Sequence, residues 1–287
     1  MSDNLFSHYL MPLAIAFIMF GIGVNLKVED FKRTFKRPKA VFTGLVAQMI
    51  LLPFIAFIIN FFFDINPIYK VGFVLIASCP GGTTSNLVTL LLKGRLALSV
   101  SLTAFNSFLI LFTIPIITNI ALNLYEGLET HIALPIGETI GNMLLTVLLP
   151  TFIGMLYLRF FPGIVHKTER IINISMTLFL LFVFIGLFVF ENTGSAKLTD
   201  YAFLFLPAFL LNLISMSAGY VLALSAGIEN RGRYTIAVQV GLQNSVLAIF
   251  VASKLLGQAE IAVVAIIYSS FTLFTTAFWA YIMKRYL

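Results

Sequence analysis

Apolar residues run through this chain in long stretches, and the informative positions are the few polar ones inside them. Nine apolar segments can be delimited, with approximate cores at 8–26, 40–62, 70–92, 96–123, 136–158, 171–190, 201–226, 234–253 and 261–283. A membrane-spanning helix needs roughly 20 such residues, so the pattern predicts nine spans. Two segments are interrupted. Segment three carries Cys79-Pro80-Gly81-Gly82-Thr83-Thr84-Ser85-Asn86 at its middle, and segment eight carries Gln239-Val240-Gly241-Leu242-Gln243-Asn244-Ser245. Pro80 has no amide hydrogen and crowds the preceding turn. Gly81, Gly82 and Gly241 are expected to let the chain leave helical geometry cheaply. Backbone groups freed at membrane depth need partners, and such breaks are tolerated where they are buried in protein or line a cavity. A plain Pro/Gly kink is the simpler alternative for 79–86. Amides in both halves of the chain favour two broken helices that meet at their breaks, because one helix cannot satisfy so many buried donors and acceptors.

Composition supports an all-α membrane protein. The chain has 287 residues, 60% hydrophobic and 10% charged, with 30 Phe and a mean hydropathy of +1.00. This excludes a soluble module and leads us to expect one polytopic domain over 1–287. The residues before 8 lack the basic region of a signal peptide, so the first run is expected to be retained as a span. The net charge of +6 does not point to nucleic acid. If nine spans alternate, all but three of the 18 basic residues fall on one side, the exceptions being Lys70, Lys197 and Lys254. The positive-inside rule then places the N-terminus outside and the C-terminus in the cytoplasm of a cell-membrane protein.

The chemistry is narrowed by what the segments omit. All 12 carboxylates fall in loops or at segment ends, and His8, His131 and His166 do the same. A buried proton relay has no carrier, and membrane-embedded proteases that need paired acids or a His partner are excluded. The single cysteine, Cys79, excludes an internal disulfide and a Cys-based zinc site. It reads as a small packing residue or, less simply, as a reactive thiol. The chain is therefore not expected to be an enzyme or to need a cofactor, and it shows no feature calling for an obligatory protein partner. A passive pore would need a continuous polar lining, whereas the polar residues cluster near mid-depth. They are Gln48 in segment two, the Ser99, Thr103 and Asn106 stripe in segment four, Asn212 in segment seven, and the two interruptions. The stripe lies on one helical face, where interhelical hydrogen bonding alone would account for it. The spacing of Gln48 from Ser85 and of Asn212 from Asn244 fits related halves, segments two to four and seven to nine, in inverted orientation.

The element at 79–86, followed by Lys93-Gly94-Arg95-Leu96-Ala97-Leu98-Ser99, resembles the bile acid:sodium symporter family. So do Gly21-Ile22-Gly23-Val24-Asn25-Leu26, Val46-Ala47-Gln48 with Pro53 downstream, and Val240-Gly241-Leu242-Gln243-Asn244-Ser245. The resemblance runs from about residue 10 to 250 and implies the nine-span form, a panel subdomain beside a core subdomain in which two discontinuous helices cross. It implies a secondary transporter working by alternating access, coupled to sodium. The substrate would be an organic anion, bile-acid-like or a small carboxylate such as pantoate or pyruvate. It further implies one sodium position at Ser85, Asn86, Ser99, Thr103 and Gln239, and a second at Gln48, Gln239, Gln243 and the carbonyls of Val240 and Leu242. Thr83 and Asn244 would face the substrate. One residue departs from the family pattern: Gln239 stands where the family usually has Glu. Two cations about 8 Å apart repel by about 2 kcal/mol at an effective dielectric near 20, with no carboxylate to neutralise them. A sodium-independent anion carrier is therefore the alternative.

Overall fold

The computed structural model describes residues 11–25, 38–125, 136–165 and 198–286, with 167–168, 171 and 175 besides. The expected segment at 171–190, apart from 171 and 175, and most of the basic stretch at 27–39 lie outside the described residues. The described chain is helical, and its backbone contacts sort into two compact units. One comprises Met1–Glu29 and Pro135–Leu198, the other Asp30–Leu134 and Thr199–Leu287.

In the first unit, α1 (Met11–Val24) packs on α6, which runs through Ile136–Met143, a wide turn at Leu144–Leu148, and Leu149–Phe160. Two glycines permit the approach. A Cβ on Gly23 would strike the carbonyl of Thr151, and one on Gly154 would strike the carbonyl of Phe20 and lie 2.8 Å from the amide nitrogen of Val24. Small residues that let helix backbones touch are the usual means of close packing in a bilayer, where no hydrophobic force drives helices together. Gly154→Ala is expected to lower the stability of the purified protein by about 1–3 kcal/mol. An unchanged thermal transition in detergent would refute this close crossing.

The second unit contains α2 (Pro38–Phe62), α3 (Pro67–Ser78), α4 (Thr83–Leu91), α5 (Leu96–Tyr125), α7 (Phe205–Ser225), α8 (Asn230–Gly241), α9 (Ser245–Phe250, continued by Val251–Leu255) and α10 (Ala259–Tyr286). Among the described residues five helices are long and apolar enough to cross a membrane: Pro38–Phe62, Leu96–Tyr125, Thr139–Phe160, Asp200–Ser225 and Ala259–Arg285. The polarity of α5 is inside out for water. It buries Ser99, Thr103 and Asn106 and exposes Phe108, Phe112, Ile116, Ile120 and Leu124 at every fourth position, a stripe suited only to lipid. The protein is a multi-pass membrane protein.

Among the described residues three helices contain a turn wound one residue too wide, at Ala47–Leu51, Leu144–Leu148 and Val251–Leu255. In α2 the amide of Leu52 donates to Ala47, five residues back, and in α6 that of Leu149 donates to Leu144. Each of these turns is followed at once by a proline, Pro53 or Pro150, which cannot donate to the carbonyl four residues before it. The helix absorbs the loss by shifting its bonding register. The wide turn of α2, Ala47–Leu51, holds Gln48.

Candidate functional site at the paired helix breaks

Segments three and eight are both interrupted, as the pattern of polar residues predicts. After Ser78 the chain is extended through Cys79 (φ −75°, ψ 155°) and Gly82 (φ −82°, ψ 174°), and the helix resumes at Thr83. After Gly241 it is extended at Leu242 (φ −113°, ψ 92°) and resumes at Ser245. The two extended pieces pair antiparallel at Gly81 and Gln243. The amide of Gly82 donates to Leu242 O at 3.1 Å, and that of Asn244 donates to Pro80 O at 2.8 Å. Each such bond contributes about 1 kcal/mol net in water, and leaving its partners bare at membrane depth would cost several times that.

The glycines do a different job from the one expected. Neither Gly81, Gly82 nor Gly241 has the positive φ that demands glycine. Gly241 is the last residue of α8, and a Cβ there would sit 2.7 Å from the Met216 side chain and 2.8 Å from Thr276 Oγ1. A Cβ on Gly81 would strike Gln239 Oε1 and lie 3.0 Å from Gln48 Nε2. Gly81 and Gly241 make room for neighbours, whereas a Cβ on Gly82 would meet nothing nearer than 3.9 Å.

Unwinding α8 frees the carbonyls of residues 239 to 241, and each receives a side-chain donor. Gln48 Nε2 donates to Gln239 O at 2.8 Å. Gln243 Nε2 donates to Val240 O at 2.7 Å. Asn212 Nδ2 (2.8 Å) and the Tyr268 hydroxyl (2.9 Å) both donate to Gly241 O. Gln48 also accepts from Asn106 Nδ2 at 2.9 Å, so α2, α5 and α8 are joined through one amide. Asn212 accepts from Thr275 Oγ1 at 2.8 Å and ties α7 to α10.

Gln239 is fully buried and points the other way, into an oxygen cluster. Its Nε2 donates to Ser99 O at 2.9 Å, to Ser99 Oγ, to Asn86 Oδ1 at 3.2 Å and to Thr103 Oγ1 at 3.3 Å. The hydroxyl hydrogens of this group are already committed. Ser99 Oγ donates to Asn86 Oδ1 at 2.6 Å, with Thr89 Oγ1 at 3.3 Å, and Thr103 Oγ1 donates to Ser99 O at 3.1 Å. A backbone carbonyl cannot donate, so the amide face turned towards Ser99 O is the NH2.

The structure thus brings together Gln48, Asn86, Ser99, Thr103, Gln239, Val240, Leu242 and Gln243. Ser85 is buried, and its hydroxyl donates to Gly82 O at 2.6 Å, closing the first turn of α4. Asn244 caps α9, accepting from the amide of Leu247 at 3.1 Å. Thr83 begins α4, and its side chain lies outside the described ones. Thr89, Tyr268, Thr275 and Thr276 escaped the sequence reading. Thr275 and Tyr268 lie seven residues apart, on one face of α10, which was the available signal.

Among the described residues no group of His, Cys, Asp or Glu is placed to hold a metal ion. The site is neutral and built from dipoles: amide and hydroxyl oxygens, unwound carbonyls, and the N-terminus of α4. Carbonyl and hydroxyl oxygens suit a hard monovalent cation, and helix N-termini suit an anionic group. Gln243 Oε1 and Asn106 Oδ1 are buried with no hydrogen-bond partner among the described residues. Discontinuous helices that meet at membrane depth are the arrangement from which many transporters build their ion and substrate sites.

The comparisons agree. The model of the Sodium Bile acid symporter family matches residues 12–194, and the chain belongs to that family. It is 30% identical to a probable chloroplastic sodium/metabolite cotransporter of Oryza sativa subsp. japonica, over 89% of this chain and 62% of that protein. It is 28% identical to an uncharacterized sodium-dependent transporter of Bacillus subtilis, over 85% and 73%. To the ileal sodium/bile acid cotransporter of Homo sapiens it is 26% identical, over 96% and 78%. The chain spans about three fifths of the length of three plant relatives it matches, 62%, 61% and 57%. These relatives are named as transporters.

Proposed function

We propose that this protein is a sodium-coupled secondary transporter of an organic anion, working by alternating access. One observation carries the reading: the two helix breaks pair with each other through Gly82, Leu242, Asn244 and Pro80, and buried neutral oxygens surround them. In this reading the chain is a single polytopic domain of nine spans in the cell membrane, with the N-terminus outside and the C-terminus in the cytoplasm. Its two compact units are the panel (Met1–Glu29 with Pro135–Leu198) and the core (Asp30–Leu134 with Thr199–Leu287). Segments two to four and seven to nine form the inverted repeat, with α3–α4 and α8–α9 as its discontinuous helices.

Sodium is drawn to the oxygens of the breaks. One group comprises Ser85, Asn86, Ser99, Thr103 and Gln239, the other Gln48, Gln239, Gln243 and the carbonyls of Val240 and Leu242. The anion's negative group is held near the N-termini that open at Thr83 and Asn244, where free amides and the helix dipole favour it. The substrate is a bile-acid-like molecule or a small carboxylate, in keeping with relatives named for bile acid and for metabolites. Uptake of labelled pyruvate, pantoate and taurocholate into proteoliposomes tests this, with an inward sodium gradient compared with potassium at equal ionic strength. Sodium-dependent accumulation of one of them is expected. Equal uptake in potassium would leave a sodium-independent carrier and end the coupled reading.

A further inference from the structure

We infer that Pro53 is a positioning residue for Gln48: it holds the wide turn of α2 open, and that turn keeps the Gln48 side chain against the break in segment eight. The sodium effect predicted below rests on the coupling proposed above; the positioning does not.

Burial along α2 follows a period of four. Ala40, Gly44, Gln48, Leu52, Ala56 and Asn60 are all buried, and Phe42, Ile50, Phe54, Ile58 and Phe62 are exposed, two residues out of phase. Four residues advance a regular α-helix by about 400°, so each step of the buried stripe drifts by about 40°, and the whole stripe from Ala40 to Asn60 by about 200°. A straight α2 would carry one end of the stripe round to the lipid side. One residue absorbed into a wider turn takes back about 100° of that drift. The amide of Leu52 donates to Ala47 O, five residues back, and the wide turn spans Ala47–Leu51, near the middle of the stripe. Gln48 stands inside this turn and is hemmed in on three sides. Its Nε2 lies 2.8 Å from Gln239 O in α8, its Oε1 lies 2.9 Å from Asn106 Nδ2 in α5, and a Cβ on Gly81 would come within 3.0 Å of it. The fit is one of position and holds whichever way round the amide lies.

Pro53 is what keeps the turn wide. In a regular helix its nitrogen would face Met49 O, to which it cannot donate and against which its ring would clash. Alanine at 53 restores the amide hydrogen. The amide of residue 53 then donates to Met49 O, that of Leu52 donates to Gln48 O, and the turn closes to α geometry. The C-terminal half of α2 is fixed by packing on α3 and α7, so closure turns Gln48 by about 100° about the helix axis and takes it out of reach of Gln239 O. Helix α6 supplies a control within the same chain. Pro150 follows the wide turn Leu144–Leu148 at the same offset as Pro53 follows its own, and that turn holds no residue of the helix-break site.

The test uses purified full-length variants, read as thermal stability, first in potassium and then in a sodium titration at constant ionic strength. In potassium, Gln48→Leu is expected to lower the transition of the wild type by about 4 °C or more through the lost amide bonds. In the Pro53→Ala background it is expected to cost less than half as much, because the amide has already left its partners. In sodium, Pro53→Ala is expected to raise the half-saturating concentration at least about tenfold, whereas Pro150→Ala leaves it within about twofold. An equal cost of Gln48→Leu in both backgrounds would overturn the inference, as would a sodium response that Pro53→Ala leaves unshifted or that both proline variants shift alike. Should Pro53→Ala fail to fold, Pro53→Gly, which restores the amide hydrogen with a weaker drive to close the turn, is read by the same cycle. A wild type indifferent to sodium, beside a cycle in which Pro53→Ala removes the cost of Gln48→Leu, supports the positioning and overturns the sodium coupling instead.

Discussion

Gly81→Val is expected to abolish transport and to lower the stability of the folded protein by about 3 kcal/mol or more, whereas Gly82→Ala, one residue away, changes stability by no more than about 0.5 kcal/mol. The contrast comes from what surrounds each position. A Cβ on Gly81 strikes Gln239 Oε1 and approaches Gln48 Nε2 to 3.0 Å. Both amides are buried and hydrogen-bonded, so neither can swing aside without leaving a polar atom bare. A Cβ on Gly82 meets nothing nearer than 3.9 Å, and its φ of −82° and ψ of 174° suit any residue. Both variants replace a glycine in the same motif, so an argument from backbone freedom predicts equal harm. Thermal unfolding of the two purified variants separates these accounts, and equal losses would show that the crowding at Gly81 is not what the glycine serves.

The second large effect is expected at a residue that the proposed ion sites do not use. Asn212 is fully buried, donates to Gly241 O at 2.8 Å and accepts from Thr275 Oγ1 at 2.8 Å. Asn212→Leu fills the space with an apolar group, removes one donor to Gly241 O and leaves the Thr275 hydroxyl only the carbonyls of Phe271 and Thr272, each at 3.3 Å, so a loss of about 2 kcal/mol is expected. Tyr268→Phe removes the other donor to the same carbonyl, at 2.9 Å, and keeps the ring, so about 1 kcal/mol is expected. The two donors share one acceptor. The double variant should therefore lose more than the sum of the singles, because only then is Gly241 O left with no donor from either. Strict additivity in a double-mutant cycle would mean that the carbonyl finds other partners and that the pair does not hold the break open.

A pattern of apolar runs interrupted by small polar residues was enough to locate both breaks, at 79–86 and 239–245. Lipid enforces this legibility: a bilayer tolerates neither an unpaired backbone group nor a stray amide, so each polar residue inside a run must have a reason. Gln48, Ser99, Thr103, Asn106 and Asn212 were visible for the same cause. Tyr268, Thr275 and Thr276 were not, because tyrosine and threonine are ordinary in spanning helices and nothing local marks them as partners of the Gly241 carbonyl or the Asn212 side-chain amide, 27 to 64 residues away. Sequence also misread the glycines. Gly81 and Gly241 look like backbone hinges in one dimension, and only their neighbours in space show that they are clearances.

The sequence by itself determined that this is a helical membrane protein with two broken segments and an uncharged site, because hydropathy, helix-breaking residues and the absence of mid-segment acids are local properties. Only the tertiary structure decided which groups meet. It paired Gly82 with Leu242 and Asn244 with Pro80, set Gln48 and Asn212 on carbonyls of the same break, and turned the Gln239 amide into the oxygens of Ser99, Asn86 and Thr103. Hydrogen bonds are directional and short, so the partner of a buried amide is settled by which helices pack within 3 Å of it. That packing depends on contacts between residues far apart in the chain, and no periodicity along the chain records it.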